Sequence, residues 1–148
     1  MSSIRFYNDC NLEISYDIDK LKKIILYIFN EEKSKLDEIS VIFVNRNKLS
    51  KLKKEYFNKD QYTDVMVFNL ENENSPIEGE VYISIDDVRL NSKEYNVTFN
   101  KEFKRVLIHG ILHLIGYNDD SEIAKQKMTK LEDKYLQEYE LEVIRIGR

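Results

Sequence analysis

The stretch His109-Gly110-Ile111-Leu112-His113-Leu114-Ile115-Gly116-Tyr117-Asn118-Asp119-Asp120 holds both histidines of the chain, spaced four apart. On a helix, residues at that spacing lie one above the other on the same face, so two imidazoles can converge on one ion. The run Val106, Leu107, Ile108, Ile111, Leu112 and Leu114 around them marks a largely buried helix. A buried imidazole without a partner is costly, whereas a metal satisfies one nitrogen of each ring. Gly116 suits the left-handed position that ends a helix and turns the chain so that a residue just beyond reaches back. Asp119 and Asp120 are the residues placed to do so. Two histidines and a carboxylate leave a fourth position open, which is the pattern of a catalytic zinc-type site rather than a closed structural one. Two histidines four apart also occur by chance in ordinary core helices. The concentration of every histidine beside a glycine and an acidic pair favours the metal.

Such an ion polarises a phosphoryl or carbonyl oxygen and lowers the pKa of water, so hydrolysis is the reaction class it suggests. In the metalloprotease helix HExxH the residue after the first histidine is the general base; here it is Gly110, which removes the usual peptidase base.

Around this stretch the chain supplies the means to position it. A length of 148 residues is that of one domain, residues 1–148, with room for a proper core. Residues 4–16 alternate in the manner of a strand or hairpin start. Ile18, Leu21, Ile24, Ile25, Ile28 and Phe29 recur at helical spacing behind Asp17 as N-cap. Strands are expected at Ile39–Val44, Tyr62–Phe68 and Gly79–Ile85. Asn47 is expected to cap a second helix with Leu49, Leu52 and Tyr56 inward, Asp86 or Asp87 a third, and Asn100 the histidine helix. A last helix starts at Asp120 or Ser121 and carries Ala124, Met128, Leu131 and Tyr135 on its core side. The fold class is α+β, a small mixed β-sheet packed against several helices with the metal-binding helix near its centre.

The single cysteine, Cys10, precludes an intrachain disulfide and fits a reducing cytoplasm. The first residues lack the apolar core of a signal peptide, and no segment approaches the length needed to span a bilayer, so a cytoplasmic protein without a membrane partner is expected. A net charge of −4 argues against coating nucleic acid through overall charge but leaves room for a local groove. The cluster Lys48, Lys51, Lys53, Lys54 and Lys59 reads as a solvated helix face.

The histidine stretch resembles the signature H-G-x-L-H-L-x-G-Y-D-H of the YbeY family of bacterial endoribonucleases and ribosomal-RNA maturation factors. The match falls on His109, Gly110, Leu112, His113, Leu114, Gly116 and Tyr117. Upstream, Tyr62-Thr63-Asp64-Val65 with Phe68 resembles the family's P-T-D-V-L-S-F segment, and Gly79-Glu80-Val81-Tyr82-Ile83 its G-D-I-x-I strand. Order and spacing agree from about Ile39 to Tyr135. The resemblance implies a single-domain α+β fold, one zinc-type ion per chain, and cleavage of single-stranded RNA in small-subunit ribosomal-RNA 3′-end processing and ribosome quality control. RNA and the ribosome, not DNA, are the implied partners. Carried across, His109 and His113 are the first two ligands, and the family's third histidine falls on Asp119, a competent oxygen ligand. Asp120 is the fallback. The family's arginine, expected to hold phosphate, aligns with Phe57; Lys59 and Arg89 are the cations that could replace it. Asp64, Asp120 and Glu80 are candidate general bases. Two other readings are an assembly factor on the ribosome with a structural metal, and a metallohydrolase of a non-RNA substrate.

Overall fold

A computed structural model describes residues 2–57, 64–70 and 75–147, Phe57 through its backbone only. The sheet that supports the histidine helix is built from β1 (Ser3–Asp9), β3 (Leu36–Val44), β4 (Val65–Asn69) and β5 (Ile77–Ser84). Their spatial order is β1-β3-β5-β4. The first three run parallel, and β4 is antiparallel to β5. β2 (Ile14–Tyr16) pairs instead with β6 (Ile144–Ile146) in a separate antiparallel ribbon. The N-terminal segment is thus not a hairpin. Parallel pairing needs a crossover, which α1 (Ile18–Glu31) supplies between β1 and β3.

α2 (Arg46–Phe57), α3 (Ile85–Glu94), α4 (Phe99–Ile115) and α5 (Glu122–Glu138) complete the fold. The expected α+β class and central histidine helix are both observed. Alternation along β5 sends Gly79, Val81 and Ile83 into the core and Glu80 and Tyr82 to the opposite face. On the core side α1 contributes Leu21, Ile24, Ile25, Ile28 and Phe29, and α4 contributes Phe103, Val106, Leu107, Ile108, Ile111, Leu112 and Leu114. On the other face α2 seats Leu49 against Val44 and Met66 in a second small cluster.

The caps differ from expectation wherever a strand or loop end offers a better-placed oxygen. Asp17 caps α1, its side chain accepting from Lys20 N. Asn45, not Asn47, caps α2, with Oδ1 accepting from Lys48 N at 2.8 Å. Ser84 caps α3 in place of Asp86 or Asp87. Those two acids hold the start of α2, Asp86 accepting from Arg46 N at 2.8 Å and Asp87 from the Arg46 guanidinium at 2.6 and 3.0 Å. Thr98 caps α4 instead of Asn100. Asn100 Oδ1 accepts from Val143 N and Ile144 N at 2.7 and 3.2 Å, docking the C-terminal strand that sequence periodicity did not disclose. Ser121 caps α5 as expected. An N-cap needs extended backbone with its oxygen over the first turn, and in α2, α3 and α4 the chain reaches that conformation two or three residues earlier than the acids and amides suggest.

Close approach of α4 to the sheet explains the residue between the two histidines' turns. A Cβ on Gly110 would lie 2.9 Å from Val81 Cγ1 and 3.2 Å from Val65 Cγ2. Alanine would gain about 1 kcal/mol of helix propensity. Stiff β-branched neighbours, Val81 fully buried on β5 and Val65 half-buried on β4, cannot yield easily, and overpacking costs about 1–3 kcal/mol. Gly110→Ala is therefore expected to lower stability by about 1 kcal/mol in urea denaturation, and Val81→Ala in the same chain to relieve it. A single variant as stable as the parent would contradict this packing.

Candidate metal centre

α4 is buried on nearly every side, yet one line along it is not. Lys101 is exposed, and Arg105, His109 and His113 are half-buried, each four residues from the last. The two rings therefore share a face and stand at 77° with centroids 4.6 Å apart. Gly116 ends the helix at φ 125, where an L-residue with a side chain would be strained. Its N–H and that of Tyr117 both donate to Leu112 O, at 3.1 and 3.0 Å, closing a Schellman-type turn. The chain doubles back, and Asp119 Oδ2 comes to 3.6 Å from His109 Nε2 and 3.7 Å from His113 Nε2.

The outer nitrogens identify the ring tautomers. His109 Nδ1 lies 2.7 Å from Glu132 Oε2, and His113 Nδ1 lies 3.1 Å from Tyr117 O. A carboxylate and a carbonyl only accept, so both Nδ1 atoms carry the proton. In the neutral rings both Nε2 lone pairs then face inward, 3.0 Å apart, towards a carboxylate oxygen. Three converging acceptors repel one another unless a cation lies between them. Tetrahedral zinc with bonds of about 2.0–2.1 Å separates its ligand atoms by about 3.3 Å, close to the three spacings observed. His109, His113 and Asp119 thus fit a metal ion in donor type, tautomer and spacing, and they are the one such group of three among the described residues. Burial disfavours charge on His109, but the hydrogen bond and charge of Glu132, with Asp64 and Asp119, outweigh it and raise its pKa. Burial and the neighbouring His109 lower that of His113.

Several supporting residues were absent from the sequence reading. Glu132 is buried on α5, with Oε1 3.4 Å from Arg105 Nη1 while Oε2 takes His109. Its signal was an acid on the same helix face as Met128, Tyr135 and Leu136. Glu32, at the end of α1, accepts from the hydroxyls of Tyr117 and Tyr135 and so tethers the turn that carries Asp119. That hydrogen bond is the main reason the Tyr117 phenol is pushed up to about 12.

Other residues singled out from the sequence are dispersed. Asp120 is exposed and outside the three-donor group. Glu80 points to the α2 face of the sheet, away from α4. Asp64 does approach, lining a cavity of about 210 Å³ that also meets His109, and burial raises its pKa. Arg89 is exposed on α3 and is not among the residues lining that cavity. Lys48, Lys51 and Lys54 are exposed on α2, as a solvated face would be. Lys59, Tyr62, Thr63 and the side chain of Phe57 lie outside the described residues. Among the described residues no helix is long and apolar enough to cross a membrane.

Fold and donor group together define an α+β protein whose central helix ends in a group able to hold a metal ion. Residues 7–140 match the family model described as Endoribonuclease YbeY. A protein of that name from Chloroherpeton thalassium is 41% identical over 118 residues, spanning 80% of this chain and 83% of its own. Another from Karelsulcia muelleri is 35% identical over 133 residues, 90% and 93% of the two chains. The solution structure of a Thermotoga maritima protein superposes with a TM-score of 0.61 at 29% identity, covering 93% of this chain and 92% of that one. The chain belongs to the YbeY endoribonuclease family.

Within the cavity beside His109, Glu102 is 3% exposed and its nearest ion-pair partner is Arg105 Nε at 3.9 Å. Burial dominates over that attraction and pushes its carboxyl from 4.5 up to about 7. A carboxyl pKa higher in the folded than in the unfolded chain makes stability fall as pH rises, here between about 4.5 and 7. Glu102→Gln should match the parent near pH 4 and exceed it at pH 8 by on the order of 1–3 kcal/mol, measured by denaturant melts across that range. A constant difference at all pH values would contradict the assignment.

Proposed function

We propose that this protein is a metal-dependent endoribonuclease cleaving single-stranded RNA in small-subunit ribosomal-RNA maturation and ribosome quality control, acting as one domain in the cytoplasm. Membership of the family supports the reaction, and one observation carries the metal dependence. Two imidazoles locked as Nδ1–H tautomers point their Nε2 lone pairs at each other and at Asp119. His109, His113 and Asp119 are the proposed ligands, and zinc is the ion that best suits two nitrogens and one oxygen, another divalent transition metal being possible. When bound, it supplies Lewis acidity and a lowered water pKa.

The remaining steps belong to the chain. Glu132 accepts the His109 Nδ1 proton, fixing the ring and raising its basicity as a ligand; Tyr117 O does the same for His113. Arg105 Nη1, 3.4 Å from the other Glu132 oxygen, helps direct that carboxylate. Asp64 is the half-buried carboxylate nearest in role to a general base, because partial burial raises its proton affinity and it lines the cavity at His109. The presence of Phe57 where the family's arginine is expected favours, as a second reading, an assembly factor that binds the ribosome and cleaves weakly.

The deciding experiment is cleavage of single-stranded RNA by the purified protein with elemental analysis alongside. About one transition-metal ion per chain is expected, lost in His113→Ala and Asp119→Ala. Cleavage should be abolished by chelator, restored by zinc, and reduced about 100-fold or more in His113→Ala. Cleavage indifferent to chelator and to His113→Ala would overturn the mechanism; ribosome association without cleavage would select the second reading. Glu132→Gln, which keeps shape but weakens the acceptor, is expected to reduce zinc affinity about 10- to 100-fold in competition with a chromogenic chelator, with the fold intact by circular dichroism. Unchanged affinity would remove Glu132 from the site.

A further inference from the structure

The cavity of about 210 Å³ beside His109 is more polar than a packing defect would be. Its wall includes Asp64, Asn91, Tyr95, Glu102 and Arg105. Glu102 is 3% exposed, and its carboxylate makes no hydrogen bond with any described residue, its nearest ion-pair partner being Arg105 Nε at 3.9 Å. No fully buried side-chain oxygen among the described residues lacks a partner, so the Glu102 oxygens open onto the cavity, where whatever enters can donate to them. Asn91 makes one long bond through Nδ2, 3.4 Å to Asp64 Oδ2. Tyr95 lies at the rim, 60% exposed.

The lining excludes several classes of occupant. A metal ion needs donors that converge, and among the described residues only His109, His113 and Asp119 do so. A phosphate would meet Asp64, Glu102 and Glu132 against the one guanidinium of Arg105, and would be repelled. An apolar group would leave the carboxyls unsatisfied. A flat heteroaromatic ring with N–H donors on its edge satisfies all three conditions. Carboxylates accept from exocyclic amino groups, an amide reads a base edge in either sense, and an exposed tyrosine offers a face to stack on.

We infer that this cavity is a nucleobase pocket, which receives one unstacked base of the RNA beside the cleavage centre and favours bases with an exocyclic amino group over uracil. The inference rests on the RNA reading above and sharpens it into a sequence preference. Room for a single base also accounts for a single-strand requirement, since a base must leave its helix to enter.

The test is binding of cytidine, adenosine and uridine to the full-length protein at pH 8, followed by backbone amide shifts in NMR titrations. Nucleosides carry no phosphate, so a metal ion in the site has no phosphate to hold. Cytidine and adenosine are expected to bind about tenfold more tightly than uridine, with the shifts centred on Asn91, Tyr95 and Glu102. Glu102→Gln, which replaces two acceptor oxygens by one and adds a donor, should shrink that preference to about twofold or less. Tyr95→Ala should weaken all three nucleosides about fivefold or more and keep their order, because stacking is indifferent to edge chemistry. Equal affinities for the three, shifts elsewhere, or a tenfold preference kept in full by Glu102→Gln would overturn the pocket. Chelator-sensitive RNA cleavage together with equal nucleoside affinities would overturn the pocket alone. The expected ranking in a protein that cleaves no RNA would support the pocket while the nuclease reading fails.

Discussion

Two imidazole rings held with their lone pairs facing each other are the constraint around which this molecule is arranged. Left to themselves, rings four apart on a helix would turn to separate their acceptors or share a proton. They are prevented from turning because each Nδ1–H is tied down, His109 to Glu132 and His113 to the carbonyl of Tyr117. A cation held by His109, His113 and Asp119 would relieve that opposition. Side chains fixed beforehand by a surrounding shell would lose little entropy in holding it.

Each tie comes from a different part of the chain. Glu132 is presented by α5, where Met128, Tyr135 and Leu136 bury the same face and hold the acid against α4. Tyr117 is held at both ends, its carbonyl by His113 and its hydroxyl by Glu32 at the end of α1. Tyr135 reaches the same Glu32, so one carboxylate joins α1, the turn after α4, and α5. Beneath, α4 can lie close on β4 and β5 because Gly110 offers no Cβ to Val81 and Val65. The glycine that removes a peptidase base from the helix thus also sets the distance at which the helix packs on the sheet. A metalloprotease glutamate could not be placed there without pushing the helix away.

Electrostatics on this side of the protein are dominated by acids. Asp64, Glu102 and Glu132 surround Arg105, while the chain as a whole carries −4. These residues offer RNA no general positive surface, so under the proposed function its contacts would fall to a metal ion at the three-donor group and to the bases.

What the sequence alone determined is what is local. The i, i+4 histidines and the Gly116 terminus lie within one segment, and helix geometry alone brings the two rings together; spacing left Asp119 and Asp120 both open, and the folded turn brings Asp119 to the rings. The amphipathic pattern of α1 and the alternation of β5 were legible for the same reason, since each is a periodicity within a single element. The caps of α2, α3 and α4 were misread by two or three residues because several acids and amides compete there, and tertiary contacts with Arg46 and the C-terminal strand claimed Asp86, Asp87 and Asn100. The pairing of β2 with β6 brings together segments from the two ends of the chain, and no local signal specifies it. Only the tertiary structure decided that Glu132, 23 residues from His109, and Glu32, 85 residues from Tyr117, would fix the rings and the turn. A hydrogen bond between distant residues leaves no period in the sequence. It exists only once packing has set two elements at the right distance, and that distance is a property of the whole core.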